Sequence, residues 1–206
     1  MITTKQMKAL ERLALARGIL PVELMENAGR EIFLAVKQRF SVEHKRVIIF
    51  IGPGNNGGDG LVAARYFAEV CPVVVLFFGT KEKLSEEARL NYDKIKDKVT
   101  IYTIKDGKEL EAFRFQPHLE LVVIDAMLGT GLQGKIRDPI SFGIDYFNTI
   151  EGIKIAVDVP SGLDPDTGEA GEKVCQADLI VTFHDIKTGL EKLQDKVVVA
   201  DIGIPA

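Results

Sequence analysis

The sequence predicts a single α/β domain, a three-layer α/β/α sandwich on a mainly parallel sheet. Three observations carry this. Short apolar, β-branched runs alternate with segments of helical period as far as Ile150. One run, Leu119–Ala126 (LELVVIDA), is almost continuously apolar, as strands are when helices cover both faces of a parallel sheet. The length of 206 residues, with 46% hydrophobic and 27% charged residues, suits one ordinary globular domain with a sizeable core.

In chain order, Thr3 or Thr4 caps a first helix that runs to about Arg17, where Gly18 stops it. A second helix opens on Pro21, a residue suited to a first helical position, and ends near Phe40. Its Leu24, Ala28, Ile32 and Val36 recur every four residues as a core-facing stripe. The apolar run Val47–Ile51 is the first strand, and the Ala-rich Leu61–Phe67 belongs to the helix after it. Pro72–Phe78, Val99–Ile104, Leu119–Ala126, Ile153–Val159, Ala177–Phe183 and Lys196–Ile202 are the later strands. Between them fall a polar, solvent-facing helix at Ser85–Lys98, a short one at Lys108–Phe115, and another at Asp138–Ile150. Beyond Ile150 strands dominate, so the last of them need not all be parallel.

The formal charge of −4 gives no support to a nucleic-acid or anionic-membrane partner. No apolar run approaches the roughly 20 residues that cross a bilayer, and the N-terminus has no signal-peptide core. Cys71 and Cys175 are too few for a disulfide framework and lack metal-ligand spacing. Both adjoin apolar strands and read as buried thiols in a reducing compartment. There is no G-x-S-x-G elbow and no P-loop lysine after the glycine run.

That run, GPGNNGGDG (Gly52–Gly60), lies between the first strand and its helix. Its glycines let backbone approach a ligand and permit positive φ in a turn. Free N–H groups at the helix start favour an anion, and Asn55 and Asn56 add amides that both donate and accept. Gly52-x-Gly54-x-x-Gly57 matches the dinucleotide fingerprint, which also needs an acid at the end of the next strand. Here that strand ends in Gly79-Thr80, so a hydride-transfer reading is incomplete. The plainer alternative is a glycine-rich turn capped by Asp59.

Ligands of such sheets sit beyond the carboxyl ends of the strands, and the unusual polar residues fall there repeatedly. The fourth strand runs into Asp125 and the loop Gly129-Thr130-Gly131-Leu132-Gln133-Gly134-Lys135. The fifth runs into Asp158 and Ser161, the sixth into His184 and Lys187. An unpartnered carboxylate at Asp125 is costly and calls for a cation or donors. Asp158 is a candidate acid/base group. Lys187 is either a counter-charge for phosphate or an ordinary solvated lysine. His44, His118 and His184 have no evident partners.

Taken together, LMENAG (Leu24–Gly29), GPGNNGGDG, DAMLGTGLQG, AVDVPSGLDPDTGE and TFHDIKTGL, in this order, resemble the YjeF N-terminal family, the NAD(P)H-hydrate epimerases. The likeness spans nearly the whole chain, to Ala200–Pro205. It implies a Rossmann-like sandwich and one domain over residues 1–206. It implies an isomerase that interconverts the R and S forms of NADHX and NADPHX, cofactors hydrated at C6 of the nicotinamide ring. This is nucleotide repair, since an S-specific dehydratase then restores NAD(P)H. The resemblance further implies that Asn55, Asn56, Gly57, Gly58, Asp59 and Gly129 through Lys135 bind the dinucleotide. Asp158 would lie beside the hydrated ring as the acid/base group. Asn56, Asp125 and Ser161 would hold one potassium ion per subunit, and oxygen ligands suit such a hard cation. Glu26 and Asn27 are expected near the ligand. A cytoplasmic homodimer joined through the N-terminal helices is expected. So is a separate dehydratase, because the kinase-like domain fused to many relatives is expected to be absent here. The stretch from Leu190 to Val197 is short for the family, so a loop near the site is expected to be trimmed. The alternatives are a nicotinamide-dependent oxidoreductase, marked by hydride transfer, and a non-catalytic nucleotide-binding scaffold of the same fold.

Overall fold

The computed structural model describes residues 1–111, 113, 120–131 and 135–205. Seven strands form one sheet: β1 (Arg46–Ile51), β2 (Val73–Phe77), β3 (Thr100–Thr103), β4 (Leu121–Ala126), β5 (Ile153–Val157), β6 (Leu179–Phe183) and β7 (Val197–Ala200). Their spatial order is β3-β2-β1-β4-β5-β6-β7, and every neighbouring pair is parallel, including the last two. The expectation of an α/β/α sandwich therefore holds, with a sheet that is wholly parallel. Strand order reverses at the β1/β4 junction, the place where open sheets of this kind form a crevice.

Within β1, Val47, Ile49 and Ile51 pack into one core and Ile48 and Phe50 into the other. A strand apolar along its length is thus a strand with two covered faces. Helices α2 (Pro21–Arg39), α3 (Asn55–Phe67) and α4 (Glu86–Ile95) cover the first face. The short α5 (Gly107–Glu111) and α6 (Ile140–Thr149) cover the second. The amino-terminal α1 (Thr4–Ala16) starts from a capping box in which Thr3 and Gln6 satisfy each other's backbone. Helix α4 is less solvent-facing than its composition suggests, because Ala88, Asn91 and Ile95 are buried.

Two sequence expectations are corrected at the glycine run. Helix α3 begins at Asn55, so most of GPGNNGGDG is helix and Asp59 sits inside it, with Gly54 at the capping position. None of Gly52–Gly60 has positive φ. Their role is close packing. A Cβ on Gly57 would lie 2.0 Å from the Gly52 carbonyl oxygen, and one on Gly58 would lie 2.4 Å from Cε of Met25. Gly29 does the same from α2, where a Cβ would lie 2.3 Å from that of Val62. The N-terminus of α3 is thereby pressed down onto the carboxyl end of β1.

Candidate active site

Strand β5 stops at Val157 because Asp158 turns to φ +65°. The Val159 N–H donates to the Val157 carbonyl at 2.8 Å, closing the strained three-residue turn of positive φ. His184, after β6, repeats this geometry at φ +66°, with the Asp185 N–H on the Phe183 carbonyl at 2.8 Å. The first turn aims the Asp158 carboxylate over the sheet edge. The second brings Lys187 back beneath it.

Lys187 is completely buried. Its Nζ lies 2.7 Å from Asp158 Oδ1 and donates to the Phe183 carbonyl at 2.7 Å. Thr182 Oγ1 donates to the same carboxylate oxygen at 3.3 Å. The amino-terminal segment adds cover, since the Ile2 N–H donates to the Ile186 carbonyl and the Thr188 N–H to that of Ile2. Lys187 is therefore neither a solvated lysine nor a direct phosphate ligand. It is the counter-ion of Asp158.

Asp158 opens onto a cavity of about 910 Å³, within the range of small-molecule sites. Asn55, Asn56 and Asp59 of α3 line it, as do Gly129, Thr130 and Gly131 after β4. The loops after β1, β4 and β5, far apart in the chain, thus meet as the strand-end pattern predicts. Gly57 and Gly58 are buried packing positions behind that wall. Lys135 is mostly exposed and pairs with Glu172 at 2.9 Å, away from the cavity lining. Leu132, Gln133, Gly134 and His118 lie outside the described residues.

Beneath the cavity, Asp125 is fully buried. Its Oδ2 accepts from the Ser161 N–H at 2.7 Å, and its Oδ1 accepts from Ser161 Oγ at 2.6 Å and the Met127 N–H at 3.1 Å. Burial nevertheless raises its pKa, against the opposing pull of the Ser161, Met127 and Cys175 donors. The same burial, followed by the Asp125 charge, pushes the Cys175 thiol well above its ordinary value. Asn56 Nδ2 donates to the Leu128 carbonyl at 3.0 Å, and the Leu128 N–H donates to Ser161 Oγ at 2.9 Å. One carboxylate, one amide, one hydroxyl and one carbonyl are thus tied into a single cluster. This oxygen set fits a hard cation, and a cation there would offset the buried charge. Among the described residues, no three His, Cys, Asp or Glu side chains gather as a metal site.

Helix α1 supplies what the motifs do not announce. Lys8, Glu11 and Arg12 line the cavity from above. The Glu11 pKa is raised, first by burial and then by the Asp158 charge, with Lys187 and Lys8 opposing. Asp59 is held well above the usual carboxylate range, first by burial and then by the charges of Asp158 and Glu11. The amphipathic period of α1 gives no hint of this, since a charged residue on it reads as a solvated face. Glu26 and Asn27 tie elements together instead of facing the cavity. Glu26 accepts from Arg65 and from the Tyr66 hydroxyl at 2.8 Å, and Asn27 Nδ2 donates to the Ile202 carbonyl at 2.9 Å.

Residues 21–189 match the family described as "YjeF-related protein N-terminus". The chain is 38% identical over 210 residues to the NAD(P)H-hydrate epimerase of Nitrosopumilus maritimus, covering 99% of this chain and 95% of that protein. It is 40% identical over 209 residues to the NAD(P)H-hydrate epimerase of Cenarchaeum symbiosum, with the same coverage. The bifunctional NAD(P)H-hydrate repair enzyme Nnr of Archaeoglobus fulgidus is 41% identical over 209 residues, 99% of this chain but 42% of that longer protein. The crystal structure of yeast ynu0 superposes with a TM-score of 0.82 at 23% identity, over 96% of this chain and 86% of that one, and shows the shared fold.

Proposed function

Because this chain belongs to the family of the YjeF-related protein N-terminus, we propose that it is an NAD(P)H-hydrate epimerase. It interconverts the R and S forms of NADHX and NADPHX. The observation that carries this is the meeting of Asp158 with the N-terminus of α3 in one cavity, in a chain that matches named epimerases over nearly its whole length. The reaction inverts C6 of the nicotinamide ring, a carbon bearing both a ring nitrogen and a hydroxyl. Inversion needs a proton moved on or off that oxygen, and Asp158 is the group placed to move it.

The start of α3, with Asn55 and Asn56, receives the pyrophosphate through its N–H groups and dipole. The Gly129–Gly131 loop closes the opposite wall. Lys187 holds Asp158 in its strained turn, so the carboxylate meets the ring in a fixed orientation. Asn56, Asp125 and Ser161 would hold potassium, whose charge would offset that of the buried Asp125 and of a bound pyrophosphate.

The relatives named bifunctional NAD(P)H-hydrate repair enzymes are longer chains that this one covers only in part, which supports a second repair activity, a dehydratase, as the functional partner. A homodimer through α1 and α2 belongs to the same reading, supported by the exposed Leu13, Leu15, Leu20 and Leu34 on and beside them. So does a reducing, cytoplasmic location, supported by two buried free thiols. Among the described residues no helix is long and apolar enough to cross a membrane.

The test supplies the R epimer together with an S-specific dehydratase, with and without potassium. Complete consumption of R only when this protein is present is the expected result. Consumption at the spontaneous rate would overturn the assignment.

A further inference from the structure

Resting on that epimerase reading, we propose that Asp59 is a second catalytic acid, paired across the cavity with Asp158: Asp59 protonates the departing C6 hydroxyl and Asp158 takes the proton of the water that returns. Asp59 and Asp158 both line the same cavity, which they reach from different elements, α3 and the end of β5. Their electrostatic settings are opposite. Asp158 has the Lys187 ammonium at 2.7 Å. Among the described residues, no ammonium or guanidinium lies within ion-pair distance of Asp59. The charged groups facing it are Glu11, Lys8 and Arg12 from α1, Glu87 from α4, Asp158, and Lys187 behind Asp158, while α2 presents an apolar wall. Burial and the charges of Asp158 and Glu11 outweigh Lys187 and hold the Asp59 carboxyl protonated well above the usual range. A protonated carboxyl facing the same cavity as a carboxylate paired with an ammonium is the arrangement of an acid and a base.

The step balances with these two groups alone. The proton of Asp59 passes to the C6 hydroxyl oxygen. The C–O bond breaks, its electron pair leaving on the water, and the ring-nitrogen lone pair forms a C=N bond. Water then adds to the other face of C6, the π pair returns to nitrogen, and the surplus proton goes to the Asp158 carboxylate. The opposite epimerisation runs the same steps backwards with the roles exchanged. Proton exchange with solvent through the open cavity resets the pair.

The test compares wild type with Asp59→Asn, and with Asp59→Ser should the Asn variant fail to fold. Epimer exchange is expected to fall by about 10²–10⁴-fold in both directions at saturating hydrated dinucleotide, so that the loss lies in kcat and not in binding. In wild type the rate falls as rising pH ionises Asp59, and that alkaline limb is absent from the residual rate of the variant. Carbon-13 NMR of labelled aspartates supplies a readout independent of turnover: the resonance missing from the variant titrates above the usual carboxylate range in wild type. A variant with wild-type rate and an unchanged alkaline limb, or an Asp59 resonance titrating in the usual range, overturns the proposal. A wild-type protein that does not accelerate exchange instead overturns the epimerase reading on which it rests.

Discussion

Lys187 Nζ and Asp158 Oδ1 are 2.7 Å apart, with the lysine side chain wholly shielded from water. A buried ion pair of this kind adds little net stability, but losing one partner strands the other charge. Lys187→Met should therefore destabilise the fold by about 3–5 kcal/mol. The charge-free double variant Lys187→Met/Asp158→Asn should recover part of that loss. Urea unfolding of the three proteins measures it. Equal stability of single and double variants would mean that the pair is not coupled.

Asp158→Asn keeps the shape of the side chain and an oxygen acceptor toward Lys187, but not the ability to take up and release a proton. Epimer exchange should drop by about 10²–10⁴-fold, while dinucleotide affinity stays close to wild type, as expected if the α3 N-terminus and the Gly129–Gly131 loop hold the dinucleotide. Exchange at the wild-type rate in a folded variant would remove Asp158 from the chemistry.

The raised Asp59 carboxyl makes stability depend on pH. A folded-state pKa above the unfolded one means the folded chain keeps a proton that the unfolded chain has released. The contribution is complete below the unfolded carboxyl value of about 3.9 and drains away as pH climbs toward the folded value. Buried Asp125, also raised, acts in the same sense. Urea midpoints should fall with rising pH across that window, and Asp59→Asn should flatten part of the slope. An unchanged slope in the variant would contradict the assignment.

A cation bound at Asn56, Asp125 and Ser161 engages only the folded state, since these residues meet through β1, β4 and β5. Potassium should raise Tm above an equal concentration of choline chloride, reaching about 2.7 kcal/mol at a hundredfold excess over Kd. Asp125→Asn should abolish the difference between the two salts. Identical melting in both salts for wild type would argue against the site.

Much of the geometry of this candidate site is legible in the sequence. Asp125 and Asp158 end apolar runs, where an acid is conspicuous, and the parallel topology brings strand ends to one rim. Their glycines mark Asn55 to Asp59, but the sequence does not give the reason for those glycines. Read locally they suit a turn, whereas contacts with Gly52 and Met25 make them packing residues inside a helix. Lys187 is ambiguous in the sequence for a similar reason. Its burial depends on Ile2 at the far end of the chain, which no local pattern reports. Glu11 on an amphipathic helix carries no local mark at all.

The packing role of the glycines separates two substitutions that look alike on paper. At Gly29 a new Cβ meets Val62 Cβ at 2.3 Å and the Ala63 backbone nitrogen at 2.8 Å, atoms that cannot move without shifting α3. At Gly58 it meets the thioether end of Met25, at 2.4 and 2.6 Å, which can swing aside, and the Ala88 Cα at 3.2 Å, which need give by only a few tenths of an ångström. Overpacking costs about 1–3 kcal/mol or more where nothing yields, whereas alanine in a helix interior gains up to about 1 kcal/mol over glycine. Gly29→Ala should therefore lower stability by at least about 2 kcal/mol, while Gly58→Ala stays within about 1 kcal/mol of wild type. Denaturant unfolding of both variants decides it, and equal losses would show that the two contacts are equally rigid.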